Sequence, residues 1–294
     1  MKISRPAYAK INLMLSVGAR RDDGYHNIES VMQTVSLHDT VTLKVTPSKN
    51  PTGNIKVMCS IPELSGENNL AYRAVSAYQN ECNIKNYDIS VEIIKRIPVA
   101  AGLAGGSADC AAVLRALNAA FGNLLTHEKL CRLGASLGAD VTFCLYGGTC
   151  IARGIGDIIT PCSPLTGVYI LIVETYGKIS TGEAYSRLDA HPDIITRDNK
   201  AGADMMLTAL AANDMSAVAA VAYNDFELIN SYGSSTDDIK RIIYDSGALL
   251  AMMSGSGPSV FGLFTDITSA RRAYRRLRAK SYVSHICTAI DTYK

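Results

Sequence analysis

No stretch of this sequence stays apolar for the ~20 residues that cross a bilayer, so a membrane-spanning helix is not expected. The opening segment, MKISRPAYAKINLMLSV, is interrupted by Arg5, Lys10 and Asn12 and lacks the apolar core of a secretion signal. The eight cysteines form no CxxC pair and no Cys/His cluster of zinc-finger spacing, and they lie in apolar stretches such as VTFCLYGGTC and KVMCSI. Buried, reduced thiols are the expectation. Charge of either sign is also scarce in excess: a formal +2 argues against both a nucleic-acid binder and an acidic tail. There is no internal repeat and no low-complexity segment. No carboxylate cluster reads as a dedicated metal cage. On these absences a soluble, unprocessed cytoplasmic protein is expected. Its 294 residues, 48% of them apolar, suffice for one large or two modest domains.

The hydrophobic pattern places strands before helices. Ile11, Leu13 and Leu15 alternate with Lys10, Asn12 and Met14 in AKINLMLSV, the pattern of a half-buried strand that sets Lys10 and Asn12 on one face. TVTLKVT (40–46), IKVMCSI (55–61) and YDISVEII (87–94) read as further strands. Leu70, Ala74, Ala77 and Tyr78 share one face of a helix. Helices follow from about 106 to 121 and from Thr126, and the order suggests an α+β layer. Prolines and small residues cluster at 160–167, which places a border between an N-terminal domain, 1–162, and a C-terminal domain, 163–294. The second domain reads as strand (VYILIVE), helix-rich segment, helix (236–246), two strands (ALLAMMS, SVFGLF), helix (267–280) and strand (HICTAI), a split β-α-β arrangement.

RIPVAAGLAGGSADCAA, 96–112, has more side-chain-free positions than a packing turn requires. Gly102, Gly105 and Gly106 would let backbone amides converge at a helix N-terminus, where the dipole adds positive charge, and so hold a polyphosphate. Ser107 could cap that helix or offer its hydroxyl to a phosphate or a metal-bound water. The spacing fails the G-x-G-x-x-G dinucleotide fingerprint, and no Gly-Lys-Ser/Thr is present for a Walker loop. A second small-residue loop, MSGSGPSVF (253–261), is equally readable as an ordinary hairpin turn or as part of a shared pocket.

PAYAKINLMLSVGARRDDGYHNIESVMQTVSLHD, PVAAGLAGGSADCAAVLRALN, LGADVTFCLYGGTCIARGIGD and MSGSGPSVFGLF stand in the order found in the GHMP kinase superfamily. Within it the chain resembles the 4-diphosphocytidyl-2-C-methyl-D-erythritol kinases, with RRDDGYH the most discriminating piece. The resemblance spans Pro6 to about Phe264. Two departures stand out: Thr142 where a proline usually follows GADV, and alanines at 100, 101 and 104 where glycine is common.

The resemblance implies a two-domain GHMP kinase fold, with a ribosomal-protein-like two-layer N-terminal domain and a ferredoxin-like C-terminal domain. It implies transfer of the ATP γ-phosphate to a hydroxyl of cytidine-diphospho-methylerythritol in non-mevalonate isoprenoid biosynthesis. Lys10 and Asp140 match the catalytic pair, Asp140 taking the hydroxyl proton while Lys10 holds it ionised and stabilises transferred charge. On residue grounds, Asp140 lies between a Gly-Ala turn and an apolar stretch that reads as a strand. Pro98, Ala101, Gly102, Leu103, Ala104, Gly105, Gly106 and Ser107 match the ATP-phosphate segment, and Asn69, Leu70 and Lys95 the adenine side. Tyr25 and Tyr185 would stack on cytosine and His26 read its edge, with Asn12 and Thr181 near the diphosphate and methylerythritol. Magnesium is expected with ATP, bound through phosphate oxygens and water rather than protein ligands. The partner is then a small molecule, not a nucleic acid or membrane, and the protein a monomer or homodimer.

Two other readings compete. ARRAYRRLRAK (270–280) could bind RNA, but Ile267, Ala270, Ala273, Tyr274 and Leu277 form a core stripe that leaves the arginines as a solvated face. A superfamily kinase for homoserine, mevalonate or a sugar would share the glycine loop but lack the DGYH cytosine reader.

Overall fold

The computed structural model describes all residues except 176, 178–179, 192–198, 230–233 and 292–294, with backbone alone at 199–201 and 234. The chain folds as two compact units, neither of them one continuous stretch. Unit 1 comprises Met1–Ala9, Leu37–Val99 and Ala104–Leu145; unit 2 comprises Lys10–Ser36, Ala100–Leu103 and Tyr146–Lys294. Two long strands, β1 (Lys2–Arg20) and β2 (His26–Pro47), contribute to both.

In unit 1, β2 pairs antiparallel with β4 (Tyr87–Ile94), which pairs parallel with β3 (Ile55–Cys59). Helices α1 (Leu70–Glu81), α2 (Gly105–Ala120), α3 (His127–Leu137) and α4 (Ala139–Tyr146) complete the unit. The buried stripe of α1 is Ala71, Ala74, Val75 and Tyr78, rotated by about one position from the face expected. Alanines at 108, 111, 112 and 116 make α2 thin enough to be buried on nearly every side. The Asn69 carboxamide caps α1 by accepting from Ala71 N–H, and the Thr126 hydroxyl caps α3 by accepting from Lys129 N–H.

Unit 2 carries the remainder of β1 and β2, with β5 (Thr149–Arg153) antiparallel to β2 and to β6 (Ile158–Pro161). A second sheet, ordered β11-β7-β10-β9, is antiparallel throughout: β7 (Tyr169–Val173), β9 (Leu250–Met253), β10 (Val260–Phe264) and β11 (Ser284–Thr288). Helices α5 (Thr181–Asp189), α6 (Asn199–Ala211) and α7 (Met215–Val221) precede the short β8 (Tyr223–Asn224), which pairs parallel with β1. The helices α8 (Ser234–Tyr244) and α9 (Ile267–Ala279) follow. Ile239, Ile242 and Ile243 of α8 and Ala270, Ala273 and Leu277 of α9 pack on Leu171, Val173, Val260 and Phe264. Arg271, Arg272, Arg275, Arg276 and Arg278 lie on the exposed side of α9, as its stripe predicts.

Two expectations are corrected. Residues 9–17 form no half-buried strand: every one is buried, so Lys10 and Asn12 are interior polar groups rather than members of a wet face. The stretch after Asp140 is the helix α4, not a strand. Among the described residues no helix is long and apolar enough to cross a membrane.

A buried amide ties the end of α2 to the loop before α3. Asn118 accepts from Leu125 N–H at 3.0 Å and from the Tyr78 hydroxyl at 3.0 Å, and donates to the Leu125 carbonyl at 2.9 Å. Asn118→Ala leaves all three groups without their partner, and an unpaired buried polar group costs about 1–3 kcal/mol. We expect a loss of at least about 2 kcal/mol in urea unfolding with little change in the m-value.

Candidate active site

The glycine-rich segment is shaped by contacts on successive carbonyls. Ser259 N–H donates to Ala101 O at 3.3 Å, the Ser254 hydroxyl to Gly102 O at 3.0 Å, and Lys10 N–H to Leu103 O at 3.2 Å. In a trans peptide the C=O and the next N–H point in opposite directions. Fixing those three carbonyls therefore turns the amides of Gly102, Leu103 and Ala104 the other way. Gly102 has φ +77°, and a Cβ there would lie 2.0 Å from Ser254 O, so this backbone approach requires glycine. Ala100 and Ala104 hold φ of 53° and 57°, a left-handed conformation that costs a non-glycine residue about 1–2 kcal/mol. Strain of this kind concentrates at functional segments.

Ala104, not Ser107, is the N-cap of α2, and it offers no side-chain bond. The helical ladder begins with Ala108 N–H to Ala104 O at 2.9 Å. The amides of Gly105, Gly106 and Ser107 thus stand outside it at the positive end of the helix, an arrangement suited to an anion. A Cβ on Gly106 would meet nothing within 4 Å.

The second small-residue loop joins β9 to β10 as a hairpin, and it is also the wall against which the first loop rests. Asn224 fixes it by donating to Met253 O at 2.9 Å and Gly255 O at 2.8 Å. Across it, the Thr181 and Ser256 hydroxyls lie 3.4 Å apart. Near the same loop, a Cβ on Gly255 would lie 3.4 Å from Lys10 Nζ. The Lys10 ammonium donates to Asn12 Oδ1 at 2.7 Å, Asn12 Nδ2 to Ser30 Oγ at 2.8 Å, and Ser30 Oγ to Met14 O at 2.6 Å. This chain of donors fixes Lys10 on a strand that is buried on both faces.

In unit 1, Lys95 donates to Asp39 Oδ2 and, at 2.7 Å, to Asp109 Oδ2. Asp39 Oδ1 accepts from Arg96 N–H at 2.5 Å and Ile97 N–H at 2.8 Å, where the chain leaves β4. The ammonium also lies close to the first turn of α2, 3.3 Å from where a Cβ on Gly105 would stand. Two carboxylates and one ammonium leave the cluster one negative charge in excess. Burial, relieved in part by Lys95 and reinforced by Asp39, pushes the Asp109 carboxyl up to about 7. Burial opposes the charged form of Lys95, but Asp109 and Asp39 outweigh it and hold the ammonium above its ordinary value.

In unit 2, His26 is buried beneath Tyr185, with rings stacked at 5.0 Å and 23°, and Tyr185 meets Phe226 edge-on at 5.1 Å. Tyr25 is 60% exposed, so its ring is free to be covered.

The chain is similar to known proteins over nearly its whole length. The GHMP kinases N terminal domain matches residues 69–148 and the GHMP kinases C terminal domain residues 206–283. A protein of Alkaliphilus metalliredigens named 4-diphosphocytidyl-2-C-methyl-D-erythritol kinase is 40% identical over 288 residues, covering 97% of this chain and 96% of its own. The chain belongs to the GHMP kinases. A crystal structure of 4-(cytidine 5'-diphospho)-2C-methyl-D-erythritol kinase superposes on this GHMP kinase with a TM-score of 0.79 and 31% identity, over 98% of this chain and 99% of that one. A homoserine kinase from Cytophaga hutchinsonii, 20% identical, shares the fold with a TM-score of 0.74 over 98% and 97% of the two chains.

Lys10, Asn12, Ala101, Gly102, Leu103, Thr181, Tyr185, Tyr25 and His26 all lie in unit 2, whereas Asp140, Asn69, Leu70, Lys95, Pro98, Ala104, Gly105, Gly106 and Ser107 lie in unit 1. Two side chains of the expected site already have protein partners in this kinase. The Lys95 ammonium is paired with Asp39 and Asp109 and lies against the first turn of α2, so any contact it offers a base is through its backbone. Both nitrogens of His26 already face protein oxygens, Gly18 O at 2.9 Å and Asp189 Oδ1 at 3.2 Å, which leaves the ring no open edge. Sequence reasoning missed Asp39, Asp109, Asp189 and Asn224. The signal available for the first two was an acid just before the expected strand 40–46, in fact inside β2, and another inside an alanine-rich helix, both improbable places for an unpaired charge.

The raised Asp109 carboxyl gives a pH prediction. A carboxyl with a raised native pKa favours the fold below its ordinary value of 3.8, and that contribution is lost as pH rises to about 7. Asp109→Asn cannot ionise and removes this dependence. Melting temperatures between pH 4 and pH 8 should show wild type losing ground to the variant steadily as pH rises, whereas a constant difference would contradict an elevated Asp109.

Proposed function

We propose that this GHMP kinase transfers the γ-phosphoryl group of ATP to the 2-hydroxyl of 4-diphosphocytidyl-2-C-methyl-D-erythritol, in cytoplasmic non-mevalonate isoprenoid biosynthesis. The observation that carries the reading is near-full-length identity of 40% to a relative so named, against 20% to a homoserine kinase of the same fold. RRDDGYH, with the exposed Tyr25, supports a nucleotide base as part of the substrate.

In this reading the amides turned outward along 102–107 receive the ATP phosphates. Asp140 accepts the proton of the attacking hydroxyl as its oxygen bonds to the γ-phosphorus and the bond to the ADP oxygen breaks. Lys10 supplies positive charge to the transferred group. Asn12 orients Lys10, and Thr181 serves the substrate's phosphate side. Tyr25 and Tyr185 form the aromatic surface for cytosine. Asn69 and Leu70, at the capped start of α1, line the adenine side.

Among the described residues no group of three His, Cys, Asp or Glu side chains could hold a metal. In this reading magnesium arrives as the ATP complex, held by phosphate oxygens and water, with the Ser107 hydroxyl toward a phosphate or a metal-bound water. It would neutralise phosphate charge. We also place the border between the two domains near 162, in the linker between β6 and β7, and propose a monomer or homodimer.

The test is product detection by mass spectrometry with Mg-ATP and the cytidine substrate, beside homoserine and mevalonate. Phosphorylation of the cytidine substrate alone is expected, and product from a control alone would reassign the enzyme within its family. Asp140→Asn should fold normally and lose about 10²–10⁴ in kcat. Near-wild-type turnover would remove Asp140 from the chemistry.

A further inference from the structure

Two residues one helical turn apart grip the same imidazole. Tyr185 and Asp189 stand at i and i+4 on α5 and share a face. Tyr185 covers the His26 ring from above at 5.0 Å, while Asp189 Oδ1 meets its Nε2 at 3.2 Å. From β1, Gly18 O meets Nδ1 at 2.9 Å. Both ring nitrogens thus face protein oxygens, and the Arg20 guanidinium lies 3.7 Å from the other Asp189 carboxylate oxygen. The His26 side chain is 5% exposed and Asp189 33% exposed.

The residue this grip serves is the neighbour of His26. Tyr25 is displayed from a tight turn: Arg21 N–H donates to Tyr25 O at 2.7 Å, and Tyr25 N–H donates to Asp23 Oδ1 at 3.1 Å. The turn is closed internally on one side, and on the other it is anchored by the immobilised imidazole.

We propose that Asp189 is a positioning residue for recognition of the nucleotide base. It fixes the His26 ring, which fixes the turn that displays Tyr25 and seats the Tyr185 ring, so that the aromatic surface is assembled before the base arrives. The inference rests on the reading of a cytidine-linked substrate given above. A surface assembled in advance avoids the ordering cost of building it on binding. Asp189 touches neither the phosphates nor the reacting hydroxyl in this account, so its loss is felt in the affinity for the base and not in the transfer step.

The experiment is equilibrium titration with CMP, together with steady-state kinetics, on wild type, Asp189→Ala and Asp189→Asn. The alanine variant should bind CMP about tenfold more weakly and raise KM for the cytidine substrate in parallel, with kcat and KM for ATP changed less than about twofold. Asparagine keeps an oxygen acceptor for Nε2–H and should recover most of that loss. Wild-type CMP affinity in the alanine variant would overturn the proposal. So would an equal loss in both KM values accompanied by a fall in melting temperature, because that marks a purely structural contact. Failure of wild type itself to bind CMP would instead defeat the cytidine reading, and this proposal with it.

Discussion

The close approach of two backbones, at Gly102 and Ser254, is the constraint on which the candidate site depends. A single added carbon at 102 would stand 2.0 Å from a carbonyl oxygen, a separation no packing adjustment absorbs while the loops keep their places. With that carbon absent, the hairpin loop donates to two successive carbonyls of the glycine segment and β1 to a third. Amide planarity does the rest: once the carbonyls are held, the N–H groups must face the other way. The apparent excess of small residues in AAGLAGGS thus has two separate causes. Gly102 is small because it touches backbone, whereas Gly106 is small beside open space, where a bound group could come close to the chain.

The cluster beneath the start of α2 obeys a different logic. An ammonium between two buried carboxylates gains little net stability, since desolvation offsets most of the attraction. What it does provide is direction. Asp39 gathers two consecutive backbone amides where the chain turns out of β4, and Lys95 links that turn to Asp109 one helical turn into α2. The segment between β4 and α2 is therefore anchored at its entry and its exit. Alanines in the left-handed conformation at 100 and 104 are tolerable for the same reason: the surroundings determine the backbone more strongly than its own preference does.

Local signals made much of this architecture legible. The alternation of β4, the Thr126 start of α3 and the apolar stripe of α9 are written in contiguous residues, and those elements lie where the pattern puts them. Asp140 shows where that route ends. VTFCLY after it is rich in β-branched and aromatic residues and reads as a strand, yet it closes into an eight-residue helix whose residues 141–145 are all buried. Propensity yields there to tertiary burial. The same burial accounts for 9–17, where alternation of polar and apolar residues implied water on one face that the structure does not provide. His26 with Asp189, and Lys95 with Asp39, are separated by long stretches of chain, and no window of sequence pairs them.

The fold itself says little about what is phosphorylated, since a homoserine kinase shares it over nearly the whole chain. Substrate choice must then reside in parts that can vary without disturbing the two loops and the buried strand. The turn at 21–26 and the helix α5 are such parts: the turn closes on its own hydrogen bonds, and α5 is capped by its own Ser180. Their meeting point is the His26 imidazole, held by one residue of β1 and two of α5. A change in either segment would move the aromatic rings while leaving the glycine-rich segment as it is. Under the proposed function, base recognition and phosphoryl transfer are separable because different hydrogen bonds hold the aromatic rings and the glycine-rich segment in place.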